Sequence, residues 1–425
     1  DLWKITPKRQ SVLEFHYTGR GVFTASPFLP HMTLKQKIFL KSVVGVLLTI
    51  LVVYVLFIVA SFIAAYASTR DEVTYWANWQ REYIAALEKS YQSRTAPKVN
   101  EQDFCDFNLS EALSTGVKIN ELKMLATHNS YKQGTTAATN VFYNYALPVL
   151  LGKKYDYTFD TITQQLNYGI RSIEIDLGKV KTDNGFEIRV YHNALTEAGS
   201  SMINFELGLK ELKMWSDYNP AHLPVFVLVE TKKGSFGAYE SFDEESLRYV
   251  DNLLEEVLGD KLFTPADAIG NNGTFENLRK NNDYPTLKNM LGKFVFLFHE
   301  TYALDDYVSL DETAITQNMF IALSTENSEY SSPEYMNRCL FLIINYPNVE
   351  KEYAMIEQAV KDNFIVRTRL DEYAMINSVR HDKAIESGAN ILSTDYPPAS
   401  TDRYGYTASI NASGKTILLA RRNAL

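Results

Sequence analysis

Two patterns of apolar and polar positions divide this 425-residue chain. From Ser42 to Thr69 no charged residue occurs, and residues 43–60 are almost wholly apolar. A hydrocarbon core of about 30 Å needs roughly 20 such residues as helix, and buried core helices or cleaved signal peptides do not combine this length with this position. The run predicts one transmembrane helix over 42–69, after a basic segment over 1–41. Next, residues 71–93 place Trp76, Trp79, Tyr83, Ile84 and Leu87 among charges, and Pro97 follows, so a stalk helix is expected within a linker over 70–117.

From about Lys118 short apolar runs alternate with helical stretches. The strand candidates are 122–126, 172–177, 188–191, 225–230, 294–298, 320–323, 340–344, 364–367 and 390–393. Helical patterns fall at 204–215, 243–258, 350–361 and 371–386. Continuous apolar strands alternating with helices predict a parallel sheet covered on its outer side. The expected fold of 118–425 is therefore α/β, a TIM-type (β/α)8 barrel with some distortion. Nine candidates exceed eight strands by one, and 320–323 is assigned to an insertion.

Charge orients the chain. Residues 1–41 carry a net +5 and the remainder −14 of the overall −9. Basic flanks stay on the cytoplasmic or matrix side, so the large C-terminal part is expected on the other. Secretory lumen or cell surface fits the triplets at Asn108, Asn272 and Asn411; a mitochondrial inner membrane, with the barrel facing the intermembrane space, fits the basic start equally. Two cysteines, Cys105 and Cys339, do not define a disulfide, and Cys339 reads as a core thiol within a strand. The chain starts at Asp1, which reads as a processed or incomplete N-terminus. An acidic exported part gains nothing from anionic lipid, and no nucleic-acid partner is expected.

The chemistry sits at strand ends, where barrels of this type carry function. His128 and Asn129 follow the first strand and His192 the third. Two imidazoles across a scissile bond can share base and acid roles near neutral pH, although a single histidine at a strand end is more often structural. Glu174 and Asp176 stand two apart between Ile173, Ile175 and Leu177, so both point away from the apolar face and into the barrel. Inward carboxylates repel and are poorly solvated unless countered. A hard cation such as Ca²⁺ meets that need, with Asn129 and Glu230 as further oxygen ligands; salt bridges to Arg171, Lys232 or Lys233 are the alternative. Arg367 and Arg369 face one way, toward a phosphate or inositol hydroxyls, or toward Asp371 and Asp395.

These pieces, Thr127-His128-Asn129-Ser130-Tyr131, Gly169-Ile170-Arg171 with Glu174 and Asp176, His192 and Glu230, resemble the catalytic half of phosphatidylinositol-specific phospholipase C. The runs 364–371 and 387–397 resemble its calcium-dependent branch of bacteria and fungi, and the likeness covers about 122–396. It implies a distorted barrel cleaving an inositol lipid by intramolecular attack. His128 would be the base, His192 the acid and Arg171 a catalytic partner. Asn129, Glu174, Asp176 and Glu230 would hold Ca²⁺, and Arg367, Arg369 and Asp395 would bind substrate. The fifth strand has aromatics where signalling members carry phosphate-binding lysines, so phosphatidylinositol or a glycosylated form is expected rather than polyphosphoinositides. No calcium-loop pattern is present either.

The aromatic stretch 141–151 is either a loop rimming the mouth and dipping into headgroups or a helix packed on the barrel. Two rival readings stand. A glycerophosphodiester phosphodiesterase-like barrel would need a His-Arg-Gly start and a Glu-Asn-Thr triplet, both absent. An accessory subunit of a membrane complex, held by other subunits, would have no need of costly inward carboxylates.

Overall fold

The computed structural model describes residues 33–146, 157–234, 239–299, 301–324, 333–371, 377–398 and 406–420. The chain divides into two compact units, Asp1–Val55 and Leu56–Leu425. In the first, every described residue is exposed and, after Thr33, helical. They belong to helix α1 (Leu34–Gln92), which is long and apolar enough to cross a membrane. The expected span and stalk are thus one 59-residue helix. The reason is local: Gly45 is the one glycine within it, and no proline occurs from Leu34 to Ala96.

In the second unit a ten-stranded sheet closes on itself. Its strands are β1 (Leu122–Thr127), β2 (Ser172–Thr182), β3 (Gly185–Val190), β4 (Val225–Thr231), β5 (Phe294–His299), β6 (Met319–Ser324), β7 (Phe341–Ile343), β8 (Ile365–Arg369), β9 (Ile391–Thr394) and β10 (Ile417–Leu419). Eight run parallel in the order β1-β9-β8-β7-β6-β5-β4-β2, and the pairing of Ala126 with Ser172 closes the ring. This is the TIM-type barrel. Residues 320–323 prove to be a barrel strand, β6, paired in parallel with β5 and β7. The two strands outside the ring are antiparallel: β3 folds back on β2, and β10 pairs with β1.

The barrel has two apolar compartments. Met124, Ala126, Leu228, Leu297, Phe341, Ile365 and Ile391 fill the interior. Ile173, Ile175, Val227, Phe296, Val366 and Leu392 face the surrounding helices. The phenylalanines of β5, Phe294, Phe296 and Phe298, lie in the outer layer, and Val295, Leu297 and His299 alternate with them. Both cysteines are buried free thiols.

One outer-layer group is strained by its setting. Glu211, on the helix Phe205–Tyr218, is 1% exposed and accepts bonds from the Thr163 backbone N–H (2.9 Å) and hydroxyl (2.8 Å). Burial raises its pKa from 4.5 to about 7. A raised folded-state value means stability that is complete below pH 4.5 and lost as pH climbs through 7. Glu211→Gln keeps an accepting oxygen and cannot ionise. Its melting temperature is expected to match wild type at pH 5 and to exceed it by several degrees at pH 8, reflecting on the order of 3 kcal/mol. Equal differences at both pH values would refute this origin.

Candidate active site

Register alone assembles the acidic group. Asp176 of β2 pairs directly with Glu230 of β4, and Glu174 lies one inward position below. Each contributes a carboxylate oxygen to a group whose members lie within 4.8 Å of one another. Asp176 is fully buried, and its Oδ1 accepts no hydrogen bond. Lys232 bridges its Oδ2 and Glu230 Oε1 at 2.7 Å each. Burial, helped by the neighbouring Glu230 and Glu174, raises the Asp176 pKa despite that ammonium. Burial opposes ionisation of Glu174 too, but Arg367, His128 and Arg369 outweigh it and pull its pKa down. A three-carboxylate, all-oxygen group with an orphaned inward oxygen fits a hard divalent cation such as Ca²⁺.

Asn129 adjoins this group in a left-handed backbone conformation (φ 51°), an uncommon state that tends to persist at functional positions. Its Nδ2 donates to Tyr157 Oη (2.9 Å), and its Oδ1 receives only a long 3.4 Å bond from Tyr131 Oη. Asn129 therefore retains an amide oxygen suited to a cation.

Each histidine is oriented by a carboxylate. His128 Nδ1 lies 2.8 Å from Asp395 Oδ1, which assigns the proton to Nδ1 and the lone pair to Nε2; Arg369 Nη2 donates to that Nε2. Burial first and Arg369 second lower the His128 pKa, so the neutral base is favoured. His192 Nδ1 lies 2.6 Å from Glu197 Oε2, and Lys132 Nζ lies 2.6 Å from the other oxygen of Glu197. Lys132 and Glu197 are both buried, and Lys132 with His192 pulls the Glu197 pKa down against burial.

Several expected roles change. His192 does not follow a barrel strand: β2 overruns the rim, turns at Asp183 and Asn184, and returns as β3 to place His192 beside Asp176, whose carbonyl accepts from Tyr191 N–H. Arg171 is not at the mouth. It precedes β2 at the opposite end, grips Glu101 through Nε (3.1 Å) and Nη2 (2.5 Å), and donates to the Leu166 and Ile170 carbonyls. A catalytic Arg171 is thereby corrected to a structural one. Arg171→Met should cost about 3–5 kcal/mol in denaturant unfolding, because Glu101 is left as an unpaired buried charge. A loss below about 1 kcal/mol would contradict this role.

Arg367, expected to face substrate, is 6% exposed and bonds Glu174, Asn345 Oδ1 (2.9 Å) and Ser393 Oγ (3.1 Å). Asp395 touches His128 rather than a substrate pocket. Glu197 and Lys132 escaped the sequence reading; the only sequence signal is a carboxylate five residues beyond His192.

Of the stretch 141–151, residues 147–151 lie outside the described residues. The described part is helical, over Ala137–Val141 and Phe142–Ala146. Phe142, Tyr143 and Ala146 pack with Ala65, Ile58 and Phe62 of α1.

Set against known proteins, the chain matches the sequence model of one family, phosphoinositide phospholipase C, Ca²⁺-dependent, over residues 117–187 and 180–418. No curated protein matches it. It is similar in structure to a calcium-dependent phosphoinositol-specific phospholipase C from a Gram-negative Pseudomonas species, with 19% identity and a TM-score of 0.52, covering 75% of this chain and 99% of that one. A Ca²⁺-dependent phosphatidylinositol-specific phospholipase C from Streptomyces antibioticus matches at 15% identity and a TM-score of 0.48, covering 66% of this chain and 95% of that one. At 19% identity the likeness to the Pseudomonas structure speaks for the barrel alone. The family match spans well over half of the chain, and the chain belongs to the Ca²⁺-dependent phosphoinositide phospholipase C family.

Proposed function

We propose that this chain is a membrane-tethered phospholipase C that cleaves phosphatidylinositol, or a glycosylated inositol lipid, to diacylglycerol and an inositol cyclic phosphate. The observation that carries the reading is the pair of imidazoles, each held at Nδ1 by its own carboxylate, beside one inward acidic group. With Nδ1–H held by Asp395, His128 Nε2 takes the proton from the inositol 2-hydroxyl. The hydroxyl oxygen bonds to phosphorus as the bond to the diacylglycerol oxygen breaks, and His192 Nε2–H gives that oxygen its proton. Glu197 Oε2, 2.6 Å from His192 Nδ1, fixes the orientation of that ring. The nucleophile is already held beside the phosphorus within one molecule, which removes most of the entropic cost of approach.

Asn129, Glu174, Asp176 and Glu230 are the residues that would hold Ca²⁺. When bound, that ion supplies Lewis-acid stabilisation of phosphate-oxygen charge and acidifies the attacking hydroxyl. Arg367 keeps Glu174 ionised and in place, and Arg369 beside His128 Nε2 is the cation best placed to meet the phosphate. The apolar stretch of α1 is proposed to anchor the enzyme, with the N-terminus on the cytoplasmic or matrix side and the barrel on the other. Anchoring raises the local concentration of a membrane substrate, which an acidic domain would not attract by charge.

The test is release of inositol phosphate from phosphatidylinositol in mixed micelles by the full chain. Turnover in Ca²⁺ that disappears with a calcium chelator and returns on readdition is expected. Calcium-independent turnover would remove the calcium-dependent reading, and none from folded protein would favour the accessory-subunit alternative.

A further inference from the structure

One stripe of α1 is covered by the barrel, from the end of the uncharged run almost to the end of the helix. Ser61, Ala65, Thr69 and Gln80 are buried along it, and Val73, Trp76 and Ala77 pack on the outer apolar layer. This is the three- and four-residue spacing of a helix docked along its length. Polar anchors secure it. Ser68 Oγ bonds Thr136 Oγ1 at 2.8 Å, and Tyr83 Oη bonds Thr161 Oγ1 at 2.8 Å. Gln80 pairs with the Asn204 backbone through both ends of its amide, at 3.1 Å and 2.8 Å. Near the helix end the Tyr91 ring packs on Tyr218 with 4.7 Å between centroids, and Tyr218 Oη donates to the Ala96 carbonyl at 2.9 Å.

These partners give the docked helix a direction. Thr136 follows β1, on the mouth side of the barrel, and caps the helical segment that begins at Ala137. Asn204 caps the start of the helix Phe205–Tyr218, and Tyr218 ends it, shortly before β4 begins at Val225. From Ser61 to Tyr91, α1 therefore passes from the mouth toward the opposite end, the end at which Arg171 lies. The helix is unbroken as far as Gln92, so no flexible joint separates the uncharged run from the docked stripe.

Depth follows from the rise per residue. About 20 residues counted from Val43 cross the hydrocarbon and end near Phe62. At that boundary Ile58, Phe62 and Ala65 pack with Phe142, Tyr143 and Ala146, the rings of Phe62 and Phe142 being 5.5 Å apart. The same helical segment leaves Val141 and Tyr145 exposed. Tyrosine is a residue that settles at headgroup level. Ser68 stands about 9 Å farther along the helix than Phe62, close to the outer limit of a headgroup layer.

We propose that α1 is a strut rather than a flexible tether. It seats the barrel mouth on the headgroup layer of the bilayer it crosses, with Val141 and Tyr145 in that layer, and confines the enzyme to lipid of that leaflet. The inference rests on reading α1 as a membrane span and the barrel as a phospholipase. A long flexible linker would let a tethered domain sample other membranes; a docked helix holds the mouth against its own.

The experiment uses the full chain in phosphatidylcholine vesicles. A polarity-sensitive fluorophore is attached at Tyr145→Cys or, as a control, at Lys288→Cys, which lies before β5 at the opposite end of the barrel. The native Cys105 and Cys339 are buried. Lipids spin-labelled near the headgroup are expected to quench the first probe and not the second. No quenching at Tyr145→Cys in protein that floats with the vesicles, or equal quenching at both positions, overturns the seating. Cleavage is then followed with phosphatidylinositol placed in the protein's own vesicles or in separate, protein-free ones. The first arrangement is expected to react at least about tenfold faster. Equal rates overturn the confinement. If neither is cleaved, the phospholipase reading fails, and the quenching pattern still decides the seating. Protein that does not float with the vesicles refutes the anchor and the strut together.

Discussion

His128→Ala is expected to lower turnover of phosphatidylinositol by about three to four orders of magnitude while leaving the fold intact. Removing a positioned general base typically costs a factor of about 10² to 10⁴, and here no neighbour can replace it. Among the described groups around Nε2, Arg369 is a cation that cannot accept a proton at neutral pH. Asp395→Asn should cost about a hundredfold or more. An amide at Nδ1 can donate to that nitrogen, which turns the ring to the wrong tautomer without moving it. Single-turnover cleavage under saturating Ca²⁺ measures both. Activity within tenfold of wild type in His128→Ala would exclude this base. Equal activity in Asp395→Asn and wild type would show that the carboxylate does not set the tautomer.

Asp176→Asn should weaken Ca²⁺ binding by at least ten- to a hundredfold, the penalty found even for groups that only support a metal ligand. It removes a buried charge whose Oδ1 accepts no bond from the protein and whose Oδ2 is met by Lys232. Lys232→Met should do the opposite and tighten Ca²⁺ binding. The Lys232 ammonium lies 2.7 Å from both Asp176 and Glu230, and a second cation must share or displace it. Isothermal titration of the full chain in detergent reads both changes without reference to turnover. Unchanged affinity in Asp176→Asn would detach Ca²⁺ from this acidic group.

Much of this was legible in the residues. The alternation Ile173-Glu174-Ile175-Asp176-Leu177 carries its own geometry, since a strand has only two faces and the apolar one must meet the helices. The strand count was harder. Ile188–Val190 and Phe320–Leu323 look alike as short apolar runs, yet one is a hairpin return and the other a barrel strand. The signal that separates them is Asp183-Asn184-Gly185, a two-residue turn joining Thr182 to Gly185. Arg171 misled because it adjoins the acidic strand in sequence. It stands before the strand begins, at the end where barrels keep stability rather than chemistry. Glu197 and Lys132 lie 65 residues apart in number, and only the folded loops bring them to His192.

The overrun of β2 past the barrel rim has a bearing on how the molecule loses heat-sensitive function. His128 follows a strand bonded on both sides within the closed ring. His192 ends a hairpin arm outside the ring, held by the six pairs from Leu177–Val190 to Thr182–Gly185 and, on its outer edge, by one bridge, Arg189–Asn204, with Val190 N–H donating to the Ile203 carbonyl. Regions with fewer bonded neighbours open at lower free energy than the global fold. The proposed proton donor and proton acceptor thus belong to parts of different local stability. On warming, the arm is expected to fray before the ring, leaving a molecule still folded and still holding His128 in place.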